Sequence, residues 1–128
     1  MRRVVITGMG LVTPLGVGTR TVWRRLLDGR SGASAIQKFD TTDLPAKIAC
    51  QVPRGGDEPD FNADQWVEPK EQRRIDDFII FGLAASAQAL ADAGWKPEDE
   101  EGCLRTGVLI GSGIGGVEGI ASTAITLH

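Results

Sequence analysis

Two glycine-rich segments constrain the fold more than any other feature of this sequence. Of its 128 residues, 17 are glycine, roughly twice the usual share. Four of them fall within residues 1–18 and six within residues 107–119, each group beside a strongly apolar run. Because glycine permits tight turns and close backbone approach, each segment is interpreted as a strand, a glycine turn and a helix. Strands that alternate with helices predict an α/β fold with a largely parallel sheet.

The composition excludes several classes of protein. Hydrophobic residues make up 41% of the chain, which is too much apolar surface for a disordered protein. No apolar run approaches the ~18–20 residues that cross a bilayer, so no membrane span is predicted. The formal net charge of −3 gives no reason to expect nucleic acid as a partner. We therefore expect a soluble globular protein, and the lack of a cleavable leader pattern predicts a cytoplasmic location.

Short apolar runs and helix breakers predict the order of the elements. Strands are predicted at three places: residues 4–7, 47–52 and 106–110. Residues 8–16 are too rich in breakers for a regular element, and the rest of residues 30–69 is predicted to be irregular. Thr19 or Thr21 is predicted to cap a first helix, which ends at Gly29.

A long helix is predicted from Pro69 to about Ala93, with Gly94 as its stop. Its uncharged middle, residues 78–91, predicts burial on nearly all sides. The acidic run that follows at residues 98–101 is predicted to be a solvated loop. A last helix is predicted to follow the second glycine-rich segment.

Three cations lie at the start of this predicted long helix. Lys70, Arg73 and Arg74 would oppose the helix dipole there, at a cost of roughly 0.3–1 kcal/mol each when exposed. Arg73 can reach Asp77 at the i,i+4 spacing. The charge pattern alone favours a solvated helix face. The alternative is a docking patch for an acidic partner, in which the misplaced charge aids encounter.

The chain contains no complete set of catalytic residues. Its only histidine, His128, is terminal and therefore a poor candidate for a base. Cys50 and Cys103 lie far apart, without the spacing of a zinc or redox motif or an obvious activating partner. They are interpreted as reduced thiols, and a disulfide between them is the less favoured alternative. Ser112 lacks the Gly-x-Ser-x-Gly spacing of a nucleophile elbow, so no catalytic residue, metal site or cofactor is predicted.

Residues 111–116 match the Gly-x-Gly-x-x-Gly pattern of dinucleotide-binding proteins. In such proteins, backbone amides at a helix N-terminus hold a pyrophosphate. Glu118 weakens this interpretation because its carboxylate, in the first helical turn, would repel a phosphate. The other interpretation is that glycine lets the turn pack closely against another backbone or a ligand. A dinucleotide-binding domain is kept as the less favoured alternative.

Five sequence blocks together resemble those of one enzyme family. They are RVVITGMG with TPLG within residues 3–16, WxxLLxGxSG at residues 23–32, FD at residues 39–40, KEQRRxD at residues 70–76 and GSGIGG at residues 111–116. Their order and spacing resemble the opening of the β-ketoacyl-[acyl carrier protein] synthases. The resemblance is strongest to the type II elongating enzymes of dissociated fatty-acid synthesis, and it spans nearly the whole chain.

The resemblance implies a thiolase-like layered αβαβα fold that works as a homodimer, with residues 1–128 as a partial N-terminal domain. It implies condensation of acyl-carrier protein with malonyl-carrier protein, without a cofactor. In that family the nucleophilic cysteine, two histidines and a lysine follow the GSGIGG block. No catalytic role is therefore carried over to this chain, which is expected to be inactive by itself. The alternative is a non-catalytic homologue that acts as a dimer partner or chain-length factor.

The resemblance carries over two sets of site residues. Ile114 matches the residue that lines the acyl pocket near the dimer interface. Lys70, Arg73 and Arg74 match a basic patch that receives the acidic acyl carrier protein, which favours the docking interpretation. The chain departs from the family at residues 68–69, where Glu-Pro stands in place of the Ser-Arg of close relatives. One docking charge is therefore expected to be missing.

Overall fold

The structure is a computed structural model that describes residues 2–55 and 59–128. The chain divides into two units, one formed by Leu11–Asn62 and the other by Met1–Gly10 with Ala63–His128. Both helices and strands are present, which confirms the prediction of a mixed α and β chain. Within the described residues, no helix combines the length and the apolar character needed to cross a membrane.

The unit Leu11–Asn62 begins with a tight hairpin, although residues 8–16 were expected to contain no regular element. Strands β1 (Val12–Thr13) and β2 (Gly16–Val17) pair antiparallel. The Thr13 hydroxyl holds the turn between them, because it accepts from the amide of Leu15 at 3.1 Å and donates to the carbonyl of Gly16 at 3.2 Å. These hydrogen bonds of the Thr13 hydroxyl stabilise the turn, so two short strands can pair although the segment is rich in glycine and proline.

Helix α1 (Thr19–Leu27) follows the hairpin, as predicted. Its N-cap is Gly18 rather than a threonine, and no side chain caps the helix. Gly29 ends it with a φ of 66°, a conformation that glycine adopts without steric cost. The helix contributes Val22, which is 5% exposed, to the small core of this unit together with Phe61 at 3%.

A second antiparallel pair completes the unit. Strands β3 (Ala33–Ala35) and β4 (Ile48–Cys50) pair with Ser34 opposite Ala49. Strand β4 confirms the strand predicted near residues 47–52. Strand β3 was not predicted, because Ala-Ser-Ala has little strand propensity of its own and depends on pairing with β4.

In the other unit, the predicted single helix from Pro69 to Ala93 is wrong. The structure has a short helix α2 (Pro69–Gln72), a turn, and a long helix α3 (Asp77–Ala93). Asp76 adopts an extended conformation (φ −76°, ψ 156°) as the N-cap of α3. Gly94 ends α3 in the left-handed conformation, as predicted.

Residues 8–10 of the first glycine-rich segment pack against a row of alanines on helix α3. A Cβ at Gly10 would collide with the carbonyl oxygen of Ala85, and one at Gly8 would lie 2.5 Å from the amide nitrogen of Ala93. Between the two glycines, the amide of Met9 donates to the Asp92 carboxylate at 2.9 Å. The glycines are therefore required for this close approach of backbone to helix.

The expected burial of α3 on nearly all sides is not found in the described chain. Ile80 and Ala84 are buried, at 3% and 0% exposed, whereas Leu83 and Leu90 are about half exposed at 47% and 49%. One face of the helix is therefore covered within its unit, and the apolar residues on the other face contact solvent.

Two further helices complete this unit. The acidic run expected as a loop belongs in part to helix α4 (Glu100–Leu104), because the Asp99 carboxylate accepts from the amide of Gly102 and caps it. Helix α5 (Val117–Leu127) begins after the second glycine-rich segment, as predicted. Acidic residues in the first turn of α4 favour the helix because they complement its dipole.

The two strands predicted at residues 4–7 and 106–110 do not form. Both segments are unpaired, and Val4 and Leu109 are 96% and 98% exposed. A β-branched run becomes a strand only where a neighbouring strand supplies its hydrogen bonds. Both sheets of the described residues are two-stranded and antiparallel, so the prediction of a largely parallel sheet is not met there.

Candidate functional site

The basic patch, defined as Lys70, Arg73 and Arg74, lies on α2 and the turn that follows it. Pro69 occupies the first position of α2, Lys70 lies in its last turn and Arg73 is its C-cap. Because α2 ends at Gln72 and α3 begins at Asp77, Arg73 and Arg74 lie between the two helices rather than inside the first turns of one long helix. The break at residues 73–76 also removes the i,i+4 geometry expected between Arg73 and Asp77.

Gln72 anchors the patch to the chain that precedes it. Its side-chain amide donates to the Asp64 carboxylate at 2.9 Å and to the carbonyl of Val67 at 2.7 Å. Asp64 belongs to a 3-10 helix, Ala63–Gln65. The sequence does not reveal this role of Gln72, because both acceptors belong to a segment without any periodic pattern.

The patch is solvent-accessible and positively charged. All three of its side chains are exposed, and Arg74 forms an ion pair with Glu71 at 3.5 Å. Both members of that pair are more than half exposed, so the pair contributes only about 0–1 kcal/mol. The arginine can therefore exchange this partner for a carboxylate of another protein at little cost.

The second glycine-rich segment forms the turn that leads into α5. Gly115 has a φ of 78° and Gly116 is the N-cap of α5. Ile114, the residue expected to line an acyl pocket, is 82% exposed in the described chain. Its role therefore remains a prediction.

Asp76 lies directly against this turn. A Cβ at Gly116 would lie 2.6 Å from the carboxyl carbon of Asp76, and one at Gly119 would lie 2.9 Å from its Oδ1. With Glu118 also in the first turn of α5, a pyrophosphate at this helix end would meet two carboxylates. This geometry argues against the dinucleotide-binding interpretation of the glycine pattern. The sequence block at residues 70–76 includes Asp76 but did not predict this contact, because Gly116 and Gly119 lie about 40 residues further along the chain.

One cleft of about 410 Å³ brings the basic patch and α5 together. Its walls are formed by the turn before α3 and by the first half of α5: Arg73, Arg74, Ile75, Asp76, Glu118, Gly119, Ser122 and Thr123. The cleft therefore joins two of the three patch residues to the helix that follows the Ile114 turn. Ile114 itself does not line it.

Among the described residues, the candidate nucleophiles and metal ligands form no cluster. Cys50 and Cys103 are both free and exposed. In residues 2–55 and 59–128, no group of three or more histidine, cysteine, aspartate or glutamate side chains could hold a metal ion.

Comparison with known proteins identifies the family. Residues 1–126 match the family model described as the N-terminal domain of β-ketoacyl synthases. The chain belongs to the β-ketoacyl synthase family. Membership accounts for the five sequence blocks and places the patch and the glycine turn in the N-terminal domain of a synthase.

Curated β-ketoacyl synthases resemble the chain along most of its length. It is 59% identical over 129 residues to the 3-oxoacyl-[acyl-carrier-protein] synthase 2 of Rhizobium meliloti (strain 1021), covering 100% of this chain and 31% of the relative. It is 44% identical over 117 residues to the synthase 2 of Vibrio cholerae, covering 91% of this chain and 27% of the relative. The chain thus spans less than a third of the length of these relatives.

A solved structure shares the fold of the chain. The ishigamide ketosynthase/chain length factor superimposes with a TM-score of 0.60 at 32% sequence identity. The match covers 72% of this chain and 21% of the other. The chain therefore shares its fold, over 72% of its length, with part of a ketosynthase/chain length factor.

Proposed function

We propose that the full-length protein carrying this chain is a 3-oxoacyl-[acyl carrier protein] synthase of fatty-acid elongation. The observation that carries the proposal is the 59% identity, along the whole chain, to a relative with that name. In the proposed reaction, a cysteine thiolate takes the acyl group from its carrier thioester. Malonyl-carrier protein then loses CO₂, and the carbanion formed attacks the enzyme-bound acyl carbonyl. The cysteine is released, and the product is a 3-oxoacyl-carrier protein two carbons longer.

The architecture of the whole protein is part of the proposal. A thiolase-like layered αβαβα fold and a homodimer are supported by the family model and by the likeness to a ketosynthase/chain length factor. A cytoplasmic location agrees with the lack of a membrane-spanning helix among the described residues. Size-exclusion chromatography with light scattering tests the dimer, and a monomer would contradict it.

The basic patch is proposed to receive the acidic acyl carrier protein. Three exposed cations, anchored by the hydrogen bonds of Gln72, supply the complementary charge that steers such an encounter. The exposed ion pair of Arg74 with Glu71 can be replaced by one with the carrier protein.

Charge reversal tests the docking patch in the full-length protein. We expect R73E/R74E to weaken carrier-protein binding about tenfold at low salt, because each exposed pair contributes ~0.2–1 kcal/mol and reversal also adds repulsion. The loss should shrink as ionic strength rises, since salt screens exposed charges. The control is K96E/R105E, which changes the net charge equally at two exposed positions outside the patch. Equal affinity of R73E/R74E and the control, measured by titration calorimetry, would remove the patch from the docking surface.

Ile114 is proposed to line the acyl pocket of the complete enzyme. A bulkier side chain there should shorten the acyl chains accepted, since one methylene is worth ~1–3 kcal/mol of discrimination in an apolar pocket. The test compares I114F with I125F, which adds the same ring near the end of α5. We expect I114F alone to change the chain lengths elongated by the full-length enzyme. An unchanged product profile in I114F would place this residue outside the pocket.

A second candidate function is a non-catalytic chain-length factor, because the solved relative includes a protein of that name. A synthase incubated with acyl-carrier protein alone accumulates a covalent acyl-thioester, whereas a chain-length factor has no nucleophile to form one. Intact-protein mass spectrometry of the full-length protein distinguishes the two. A mass increase equal to the acyl group supports the synthase, and an unchanged mass supports the chain-length factor.

A further inference from the structure

The Asp76 side chain has an unusual orientation for its position. Asp76 is the N-cap of α3, and its carbonyl accepts from the amide of Ile79 at 3.0 Å. Aspartate is favoured at this position because its carboxylate can accept an amide of the helix that it caps. Here the carboxylate makes no such bond to α3. It lies instead beside α5, so its position must be explained by that second helix.

Two glycines make room for the Asp76 carboxylate. For a Cβ built at Gly116 or at Gly119, the three nearest heavy atoms all belong to the Asp76 side chain. At Gly119 the carboxyl carbon is 3.4 Å away, inside the ~3.5–4.0 Å of optimal carbon contacts, and the two carboxylate oxygens are 2.9 and 3.1 Å away. The first turn of α5 therefore approaches the start of α3 as closely as it does because neither glycine has a side chain.

Charge reinforces this contact. Gly116 is the N-cap of α5 and Gly119 lies in its first turn. The N-terminal end of a helix carries partial positive charge and unpaired amides, which favour a nearby carboxylate. Asp76 is thus placed where its charge stabilises α5, although it belongs to the sequence of α3.

The start of α3 also contacts the turn that carries Ile114. A Cβ at Gly115 would lie 3.9 Å from the ring of Phe78 in the first turn of α3. Both Phe78 and the N-cap Asp76 therefore lie beside the glycine turn. The Asp76 side chain lies against Gly116 and Gly119, which follow Ile114, and Arg73 and Arg74 precede Asp76 by three and two positions. The basic patch, Asp76 and the glycine turn therefore form one connected structure.

We propose that Asp76 is a positioning residue, whose carboxylate holds the first turn of α5 against the start of α3 and thereby sets the place of Ile114. This inference rests on the proposed function, because it assigns the consequence to chain-length selection by Ile114. It also gives the reason for the glycines at positions 116 and 119, which must leave space for the carboxylate.

The experiment is a double-mutant cycle between Asp76 and Gly119 in the full-length protein. G119A introduces a methyl group that meets the carboxylate, whereas in D76A the carboxylate is absent. We expect D76A to change the ratio of kcat/KM for a long over a short acyl chain by about tenfold or more, the size of one methylene in an apolar pocket. G119A should change the ratio in the wild-type background but not in D76A, since residues in contact are non-additive.

Two further measurements separate positioning from general damage. Carrier-protein affinity should stay within about twofold in D76A, because Arg73 and Arg74 are retained. Hydrogen exchange of residues 111–120 should become faster in D76A and remain unchanged in the control D77N, which removes a carboxylate one position further along α3. D76N preserves the shape of the side chain and removes its charge. Hydrogen exchange of residues 111–120 should therefore increase less in D76N than in D76A. D76N replaces D76A in every measurement if the alanine variant does not fold.

The outcomes separate this inference from the proposed function. If D76A and D76N both retain the wild-type exchange of residues 111–120, or if the effects of D76A and G119A simply add, Asp76 is not a positioning residue. If I114F and D76A both leave the chain-length profile unchanged while exchange increases in D76A, the positioning is supported and the pocket assignment of Ile114 fails.

Discussion

The contact between the first glycine-rich segment and α3 leads to a quantitative prediction for G10A. A Cβ at Gly10 would lie 2.7 Å from Gln88 Cβ and 2.8 Å from the carbonyl carbon of Ala85. Since carbon atoms pack optimally at ~3.5–4.0 Å, the segment would have to retreat by about 1 Å. The helix backbone cannot move aside easily, because its hydrogen bonds tie each residue to the next turn.

The cost of that retreat has two sources. Overpacking of a close contact typically costs about 1–3 kcal/mol. A movement of about 1 Å also stretches the hydrogen bond from the Met9 amide to the Asp92 carboxylate, now 2.9 Å long, beyond hydrogen-bond distance. This exposed bond contributes at the lower end of the usual range, about 0.5–1 kcal/mol. We therefore expect G10A to lower the free energy of unfolding by about 2 kcal/mol.

The assay is urea unfolding of the full-length protein, followed by tryptophan fluorescence. The control is G82A, at a position within α3 where a Cβ would meet nothing within 4 Å. Alanine is a better helix former than glycine, so we expect G82A to stabilise by about 0.5–1 kcal/mol. A G10A protein as stable as the wild type, alongside a stabilised G82A, would refute the close-packing argument. Two alanine substitutions of opposite effect cannot be explained by glycine entropy alone.

Two further predictions concern aspartates that accept local hydrogen bonds. The side chain of Thr42 donates a hydrogen bond that lowers the pKa of Asp40, and the Thr42 backbone amide lowers it further. The ionised carboxylate therefore stabilises this turn fully above the ordinary aspartate pKa of about 3.9. That stability is lost as the pH falls through the lowered pKa. The Thr42 amide shift in NMR should titrate below that ordinary value in the wild type and lose this transition in D40N; a midpoint above it would contradict the hydrogen bonds. D99A removes the acceptor of the Gly102 amide at the start of α4 and should cost about 1 kcal/mol in urea unfolding, whereas D99N, which keeps a capping oxygen, should cost much less. Equal losses in the two variants would show that the cap is not the cause.

The position of the candidate docking site was predictable from sequence, but its local structure was not. The residues of the patch stand in a recognisable order, yet their charges oppose the dipole of a single long helix. The structure resolves this conflict by ending α2 at Gln72 and starting α3 at Asp77. No periodicity reveals that break, because the residues around it have no apolar pattern that changes register.

The sequence by itself determined the features that depend on local chemistry. Helix ends at Gly29 and Gly94 followed from the left-handed conformation that glycine accepts, and the family followed from blocks in a specific order. Only the tertiary structure decided which atoms pack against the glycines and which apolar segments pair as strands. Gly10 meets a helix 75 residues away and Gly116 meets Asp76, whereas the β-branched run at residues 4–7 has no partner strand in the part of the chain that the structure describes. Turn conformation is a property of one or two residues, but close packing and strand pairing need atoms from distant parts of the chain, which no local pattern specifies.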